Sequence, residues 1–377
     1  MTTVDFNLTE QQEMFQRQVR RFAEAELTPV VDIMDKENNY PFEIRPKLAA
    51  MNLLGIPFDP EYGGAGADHV CLVLAMEEVA KVLAPIAISM QVGNVTCDRF
   101  NRLGTEKQKQ EFMIPICENK KVVCFAFTEP DTGSNPKMIK TRARWVGDGY
   151  VVSGTKRFIT HGTFAHASLI FAKDDDGDIS LFIVETDRPG FSIDKKMDKL
   201  GLRGTELCDL IMEDVKIPEE NVLGGKGGKF DALKDAMTIG KMCLSAQCVG
   251  LMQASLDEAI KYSMHRMHFD EPIFDLQAIH WLLAEMACGL EAARWLTYRA
   301  AFLKDQETNT LKDMAITKLF ATQTAVDVCR WGMQVHGAYG ISKEYKIERL
   351  YRDAKMYELL EGTSEIQREL IVKRLPR

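Results

Sequence analysis

The hydrophobic period of this chain changes twice, and that order constrains the fold more than any other feature. Before about Lys121 the apolar residues recur at helical spacing, as in the stripe Phe15, Val19, Phe22, Ala23 and Leu27. From Lys121 to about residue 226 the chain is instead built of short stretches rich in β-branched and aromatic residues: 122–127, 144–153, 167–172, 179–185 and 210–217. After Gly227 and Gly228 the helical period returns in three long segments, about 230–267, 275–304 and 311–334. Helices of that length with apolar faces predict a bundle, part of whose surface is shared with another subunit. The reading is an α+β chain of three regions: an N-terminal helical domain (1–120), a central β domain (121–226) and a C-terminal helical bundle (227–377). At 377 residues the chain is too long for one comfortable core, which agrees with that division.

Local signals sharpen the boundaries. Thr9 with Gln12 and Thr105 with Gln108 have the spacing of capping boxes, and Pro29 predicts a kink or helix boundary near Thr28. Further helical patterns run over 46–51, 71–83 and 87–103, with Gly63 to Gly66 in a loop between the first two. Gly147-Asp148-Gly149 predicts a tight hairpin turn between two short strands. The acidic run Asp174–Asp178 predicts a solvated hairpin tip, since its spacing does not match a calcium loop.

Several function classes lose support. With Asp+Glu 55 against Lys+Arg 47, the net charge of -8 argues against non-specific nucleic-acid binding. The N-terminus does not read as a secretory signal and no apolar run suffices for membrane insertion, so a cytoplasmic location is expected. The nine cysteines stand singly, without a CxxC spacing, and read as buried small hydrophobes. No metal site is expected: His265 and His268, three apart on an expected helix, lack a third ligand. No nucleophile elbow, Walker loop, HExxH or Rossmann fingerprint occurs.

Three stretches remain where chemistry could reside. Residues 125–134 carry a strand into a turn crowded with hydroxyls, a proline and a glycine, which suits an anionic or carbonyl-rich ligand or an ordinary strand connection. Residues 156–162 place an aromatic beside a hydroxyl at a strand end, a pattern that an ordinary sheet edge also explains. Residues 361–367 set an acid in a Gly-Thr-Ser break between helical patterns, which fits a plain solvated turn as well as a catalytic carboxylate.

At these stretches, in this order, the chain resembles the acyl-CoA dehydrogenase family over nearly its whole length. TEPxxGS ends at Ser134, EGTSEIQR begins at Glu361, and RGTE with ExVxxPxxNxLG spans Arg203 to Gly224. The resemblance implies a central domain of β-barrel-like form, a C-terminal four-helix bundle and a homotetramer, with FAD lying between domains and against a neighbouring subunit. By position it implies that Phe125, Phe127 and Thr128 line the flavin, with Gly133 and Ser134 near cofactor and substrate. It further implies that Phe158 packs on the isoalloxazine where relatives often carry Trp, and that Thr160 bonds near its reactive nitrogen. Arg266 and Phe269 match the segment that reaches FAD from the adjacent subunit, Arg266 suiting the pyrophosphate. Gln277, Gln334, Gly337 and Ala338 match adenosine-side contacts, while Thr363 and Glu365 match contacts after the catalytic turn. Ser134, Lys241 and Gly362 fall on the substrate side, and Glu361 matches the base that removes the α-proton of an acyl-CoA. Reoxidation by an electron-transfer flavoprotein is likewise implied. An enoyl-CoA reductase, a decarboxylating dehydrogenase and a non-catalytic flavoprotein are the alternatives on this fold.

The departures are specific. Lys241 stands where many relatives have Arg, Asp270 and Glu271 replace a common Gly and a basic residue, and Asn135, Ala338, Ile341 and Leu360 are also variants. Asp270 and Glu271 are expected to point away from the pyrophosphate. Around 85–90 there is no Arg for a distal carboxylate, although Lys241, Arg99 or Arg102 could serve. Apolar Leu360 and Met237 suit a short, branched or cyclic acyl group.

Overall fold

Thr9 opens the first helix as its spacing predicts. Its hydroxyl accepts from the Gln12 backbone N–H at 3.2 Å while Gln12 Oε1 accepts from Thr9 N at 2.9 Å, satisfying two N–H groups that a helix start otherwise leaves bare. The computed structural model describes residues 7–194, 196–225, 230–308 and 311–376, with the backbone alone described over 230–237. The helix α1 (Glu10–Phe22) passes through a π turn (Ala23–Leu27) into a 3-10 turn (Thr28–Val30) that holds Pro29, so the boundary falls where the proline predicted it. Short helices α2 (Val31–Asp35) and α3 (Ile44–Ala50) follow. The two patterns at 71–83 and 87–103 prove to be one long helix, α4 (His69–Leu103), interrupted at Leu83 (φ -151°, ψ 88°) two residues before Pro85. The ring of Pro85 cannot stack on a regular preceding turn, which gives the kink its cause. The second capping box, Thr105 with Gln108, opens α5 (Glu106–Gln108), and α6 (Ile114–Cys117) closes this region.

Eight strands form the central sheet: β1 (Val123–Ala126), β2 (Arg142–Trp145), β3 (Gly149–Thr160), β4 (Ala167–Lys173), β5 (Ile179–Glu185), β6 (Phe191–Ile193), β7 (Leu207–Pro218) and β8 (Val222–Leu223). Their order is β6-β7-β3-β2-β4-β5-β8, with β1 branching off β4. The hairpin at 147–149 is present, but β3 is not short: it runs to Thr160 because β7 pairs with it along its length. Alternation along β4 divides two cores. Leu169 and Phe171 face the helices, while Ile170 and Ala172 face the sheet's own interior with Cys124, Tyr150, Phe182 and Leu210. The acidic run forms the β4–β5 turn, where Asp174 Oδ1 accepts from the N–H groups of Asp176 and Asp178.

The expected division near 226 and 227 lies outside the described residues. Beyond it, α7 (Phe230–His265) packs against α4, and α8 (Gln277–Asp305) and α9 (Leu311–His336) complete the bundle with α10 (Ile347–Tyr357) and α11 (Ser364–Val372). His265 and His268 do not share a helix, because α7 ends at His265 and His268 lies in β9 (Met267–His268), paired with β10 (Glu271–Pro272). Phe269 and Asp270 turn that small hairpin with φ of 47° and 64°.

Partly buried ion pairs tie the regions together. Glu77 on α4 accepts from Arg294 Nη2 at 3.0 Å and from the Tyr298 hydroxyl at 2.8 Å, both on α8. Arg352 on α10 reaches both carboxylate oxygens of Asp35 at 2.9 Å and the Leu200 carbonyl at 3.2 Å. Among the described residues no helix is long and apolar enough to cross a membrane.

Candidate active site

Where α10 ends, the chain turns through a conformation that side chains resist. Glu361 has φ of 52° and Gly362 follows at 87° before α11 begins at Ser364. A glutamate gains nothing from left-handed backbone, which costs on the order of 1–2 kcal/mol, so surrounding contacts must impose it. They are present. Gln367 Nε2 donates to the carbonyls of Glu361 and Gly362 at 3.3 and 2.8 Å, and buried Lys318 Nζ donates to those of Glu358 and Gly362 at 3.1 and 2.9 Å.

The strained turn delivers the Glu361 carboxylate to the face of α7. A methyl group built on Gly240 would lie 2.7 Å from its Cδ and Oε1 and 2.9 Å from Oε2, so the carboxylate fills the space a side chain would take. From α4, Gln91 Nε2 donates to Oε1 at 3.2 Å. Three buried cations surround this position electrostatically: Arg99 of α4, Lys241 of α7 and Lys318 of α9. Burial pushes Lys241 down to about 8, with Glu361 opposing and Arg99 adding to the fall. Burial likewise lowers Lys318 to about 8, opposed mainly by Cys248 and then by Glu361. Arg99 Nη1 pairs with Asp98 at 2.5 Å, its guanidinium stands 5.4 Å over the Phe125 ring, and Arg102 also turns to Asp98. Gly240→Ala should therefore fold normally but push the Glu361 carboxylate aside by part of an ångström, since the added methyl and the carboxylate cannot share that space. A structure of the variant checks this, and an unmoved carboxylate would show that α7 gives way instead.

A second group assembles at the ends of β1 and β3. Phe125 and Phe127 both meet Phe171 edge-on at 5.1 Å, and the Thr128 carbonyl accepts from Arg157 N at 2.7 Å, joining the loop after β1 to the end of β3. Beneath that joint, Lys156 Nζ donates to Glu129 at 2.8 Å and to the Phe127 carbonyl at 3.2 Å. Burial brings the Lys156 ammonium down to about 8 against the pull of Glu129, which leaves it cationic at neutral pH. Burial works against Glu129 too, but Lys156, Thr141 and the Lys140 N–H together hold its carboxyl below the usual range. Between Lys156 and Ile159, β3 carries one more residue than its partner β7. That bulge contains Phe158, with φ of 60°, and turns its ring outward, 55% exposed. The hydroxyls of Thr128, Ser134 and Thr160 make no hydrogen bond within the described residues, and Gly133 lies against Thr128. The Arg157 guanidinium stands 5.5 Å over the Phe158 ring, and a half-exposed aromatic on a strand end that also carries an uncommitted hydroxyl suits a flat heteroaromatic group with a polar edge.

A third group gathers at the far end of the bundle. Arg266 stands 5.5 Å over the Tyr339 ring, which brings it to the 3-10 turn Gly337–Ile341 that holds Gly337 and Ala338. Gln334 is exposed near the end of α9, Gln277 begins α8, and Phe269 at the hairpin tip is 88% exposed. Among the described residues, no hydrogen bond, ion pair or ring contact joins these residues to Phe125, Phe158 or Glu361. Thr363 precedes α11, and its hydroxyl helps hold the Glu365 carboxyl below its usual range, after the helix N–H. Asp270 is exposed, Met237 lies outside the described side chains, and three residues behind Glu361 escaped sequence reasoning: Gln91, Gln247 and Tyr357. For Gln91 and Gln247 the only signal was polarity inside largely apolar helical runs, and Tyr357, at the end of the charged helix α10, left none.

Comparison with known proteins agrees along the whole chain. Residues 9–120, 124–215 and 227–375 match the N-terminal, middle and C-terminal domains of acyl-CoA dehydrogenase. The short-chain specific acyl-CoA dehydrogenase of Clostridium acetobutylicum is 37% identical over 98% of both chains. The CarC subunit of the caffeyl-CoA reductase-Etf complex of Acetobacterium woodii is 38% identical over 96% of this chain and 97% of its own. The structure of butyryl-CoA dehydrogenase from Megasphaera elsdenii superposes with a TM-score of 0.96 at 36% identity, covering 99% of this chain and all of that one. With its strained glutamate, its outward phenylalanine and all three domains matched, the chain belongs to the acyl-CoA dehydrogenase family.

Proposed function

We propose that this protein is an FAD-dependent oxidoreductase that dehydrogenates an acyl-CoA thioester between Cα and Cβ, with Glu361 as the base. The carrying observation is the Glu361 carboxylate, held in a left-handed turn, hydrogen-bonded by Gln91 and seated against Gly240. Phe125, Phe127, Thr128, Gly133, Ser134, Phe158 and Thr160 would hold the flavin, whose fit is supported by the outward Phe158 ring and the unspent hydroxyls of Thr128, Ser134 and Thr160. Bound there, FAD supplies the hydride acceptor. Glu361 takes the α-proton, the pair left on Cα becomes the Cα=Cβ bond, and the β-hydrogen departs with its own pair. The buried cations Arg99, Lys241 and Lys318 lie within electrostatic reach of that carboxylate.

Similarity supports the finer reading. A short, branched or cyclic acyl group agrees with the short-chain and butyryl relatives, and an electron-transfer flavoprotein as acceptor agrees with the Etf complex of CarC. Arg266, Phe269, Gln277, Gln334, Gly337 and Ala338 would complete the FAD site of a neighbouring copy, with Thr363 and Glu365 near the catalytic turn. Assembly as a homotetramer is supported by α8, whose exposed Trp281, Cys288, Trp295 and Phe302 recur every seven residues on one face.

Anaerobic flavin bleaching against short linear, branched, cyclic, aromatic-bearing and dicarboxyl acyl-CoAs, with product masses, tests this reading. Loss of two hydrogens from one class is expected. Failure across the panel in FAD-loaded protein would overturn the dehydrogenase. CarC favours a second reading, reduction of an enoyl-CoA, which reduced enzyme and an enoyl-CoA would reveal by product mass.

A further inference from the structure

Behind Glu361 three buried polar side chains from three helices form a single file. The Tyr357 hydroxyl, at the end of α10, donates to Gln247 Oε1 at 2.8 Å. Gln247 Nε2, on α7, donates to Gln91 Oε1 at 2.7 Å, and Gln91 Nε2, on α4, donates to Glu361 Oε1 at 3.2 Å. Gln247 and Tyr357 are fully buried and Gln91 is 6% exposed, so water does not compete for the links between them.

The two amides could in principle face either way, and the end of the file decides between them. Tyr357 has one proton to give, and burial pushes its ionisation well above the ordinary range, so it remains a donor. Within the described residues Gln247 Oε1 is the acceptor of that proton. Were the Gln247 amide reversed, the tyrosine proton would point at an NH₂ group and lie buried without an acceptor, which is strongly disfavoured. The Gln247 oxygen therefore faces Tyr357, its NH₂ faces the Gln91 oxygen, and the Gln91 NH₂ is left for Glu361.

We propose that Tyr357, Gln247 and Gln91 act as a one-way hydrogen-bond chain that pins Oε1 of Glu361 and leaves Oε2 as the oxygen that takes the substrate α-proton. The proposal rests on Glu361 being the base. A donor delivered to one oxygen binds an ionised carboxylate more strongly than a neutral acid, so the chain favours the form ready to abstract. It also fixes the plane of the carboxylate, since the pinned oxygen cannot exchange places with the free one without breaking the file. These are positioning residues. They act beside the charged and titratable groups that face Glu361: Arg99 from α4, Lys241 and Cys243 from α7, and Lys318 from α9.

The test is the pH dependence of the flavin-reduction rate in holoenzyme for Tyr357→Phe, Gln91→Leu and their combination, with an acyl-CoA that bleaches the parent protein. Removing the donor destabilises the carboxylate relative to the acid, so the acidic limb should move to higher pH by roughly half a unit or more. The limiting rate should fall roughly 5- to 20-fold, with substrate affinity little changed. Because the links act in series, the double variant should be no slower than Gln91→Leu alone. Multiplying losses with an unmoved limb would mean that the residues merely pack, and would overturn the chain. Gln91→Leu lies on a different helix from Tyr357, so its limb decides the matter should Tyr357→Phe fail to fold. Glu361→Gln separates the two levels: if it still bleaches, the base is wrong, and if it is dead while both single variants match the parent, the chain alone is wrong.

Discussion

Glu361→Gln should yield a protein that folds, retains FAD and reduces it about 10²–10⁴-fold more slowly, the range that a positioned base contributes. The substitution is nearly isosteric. A glutamine oxygen can still accept from Gln91 Nε2, and the backbone bonds from Gln367 and Lys318 that hold the strained turn do not involve the side chain. What disappears is the ability to take a proton. The measurement is anaerobic rapid mixing with the best acyl-CoA of the panel, with bound flavin quantified beforehand. An undiminished rate would send the search to another carboxylate.

The largest expected effect on stability belongs to Lys156. Its ammonium and the Glu129 carboxylate are almost completely withdrawn from water, at 0% and 4% side-chain exposure. Lys156→Met removes the cation and strands the carboxylate, a change that costs about 3 kcal/mol when one partner of a buried pair is lost. The Thr141 hydroxyl and the N–H groups of Lys140 and Thr141 still hold Glu129, which keeps the loss at the lower end of what such pairs show. A lower urea midpoint is expected, together with weaker FAD retention, because the same lysine holds the Phe127 carbonyl beneath the strand ends that carry Thr128 and Phe158. Adding Glu129→Gln should restore part of the midpoint. No loss in the single variant would mean that the carboxylate protonates or finds water at little cost.

What could be read in the sequence was what is settled locally. The capping boxes at Thr9 and Thr105 involve residues three apart, and the turn at 147–149 needs only its glycines, so spacing alone located them. The parallel pairing of β1 with β4 joins residues more than forty positions apart and left no local mark. The helix expected to run on to Met267 fails two residues early because Phe269 and Asp270 reverse the chain in left-handed backbone, which their residue types do not announce. At the candidate site, motif resemblance singled out Glu361 and the aromatics Phe125, Phe127 and Phe158, whereas nothing in the sequence singled out Gln91, Gln247 and Tyr357. Each sits on a separate helix, and only tertiary packing turns three isolated polar residues into a file.

Arg352 gives the three regions a common fate. Its guanidinium closes on Asp35 from the N-terminal helices and Glu348 of its own helix, and touches the Leu200 carbonyl of the segment leading into β7. Neighbouring Asp353 takes the Leu202 N–H at 2.5 Å. To detach either neighbour, the molecule must leave a half-buried guanidinium or a buried carboxylate without its partner, and that penalty falls on both sides of the break. Denaturation is thereby biased toward a single cooperative transition, in which the helical regions and the sheet are lost together and partly melted species with an intact bundle stay sparsely populated.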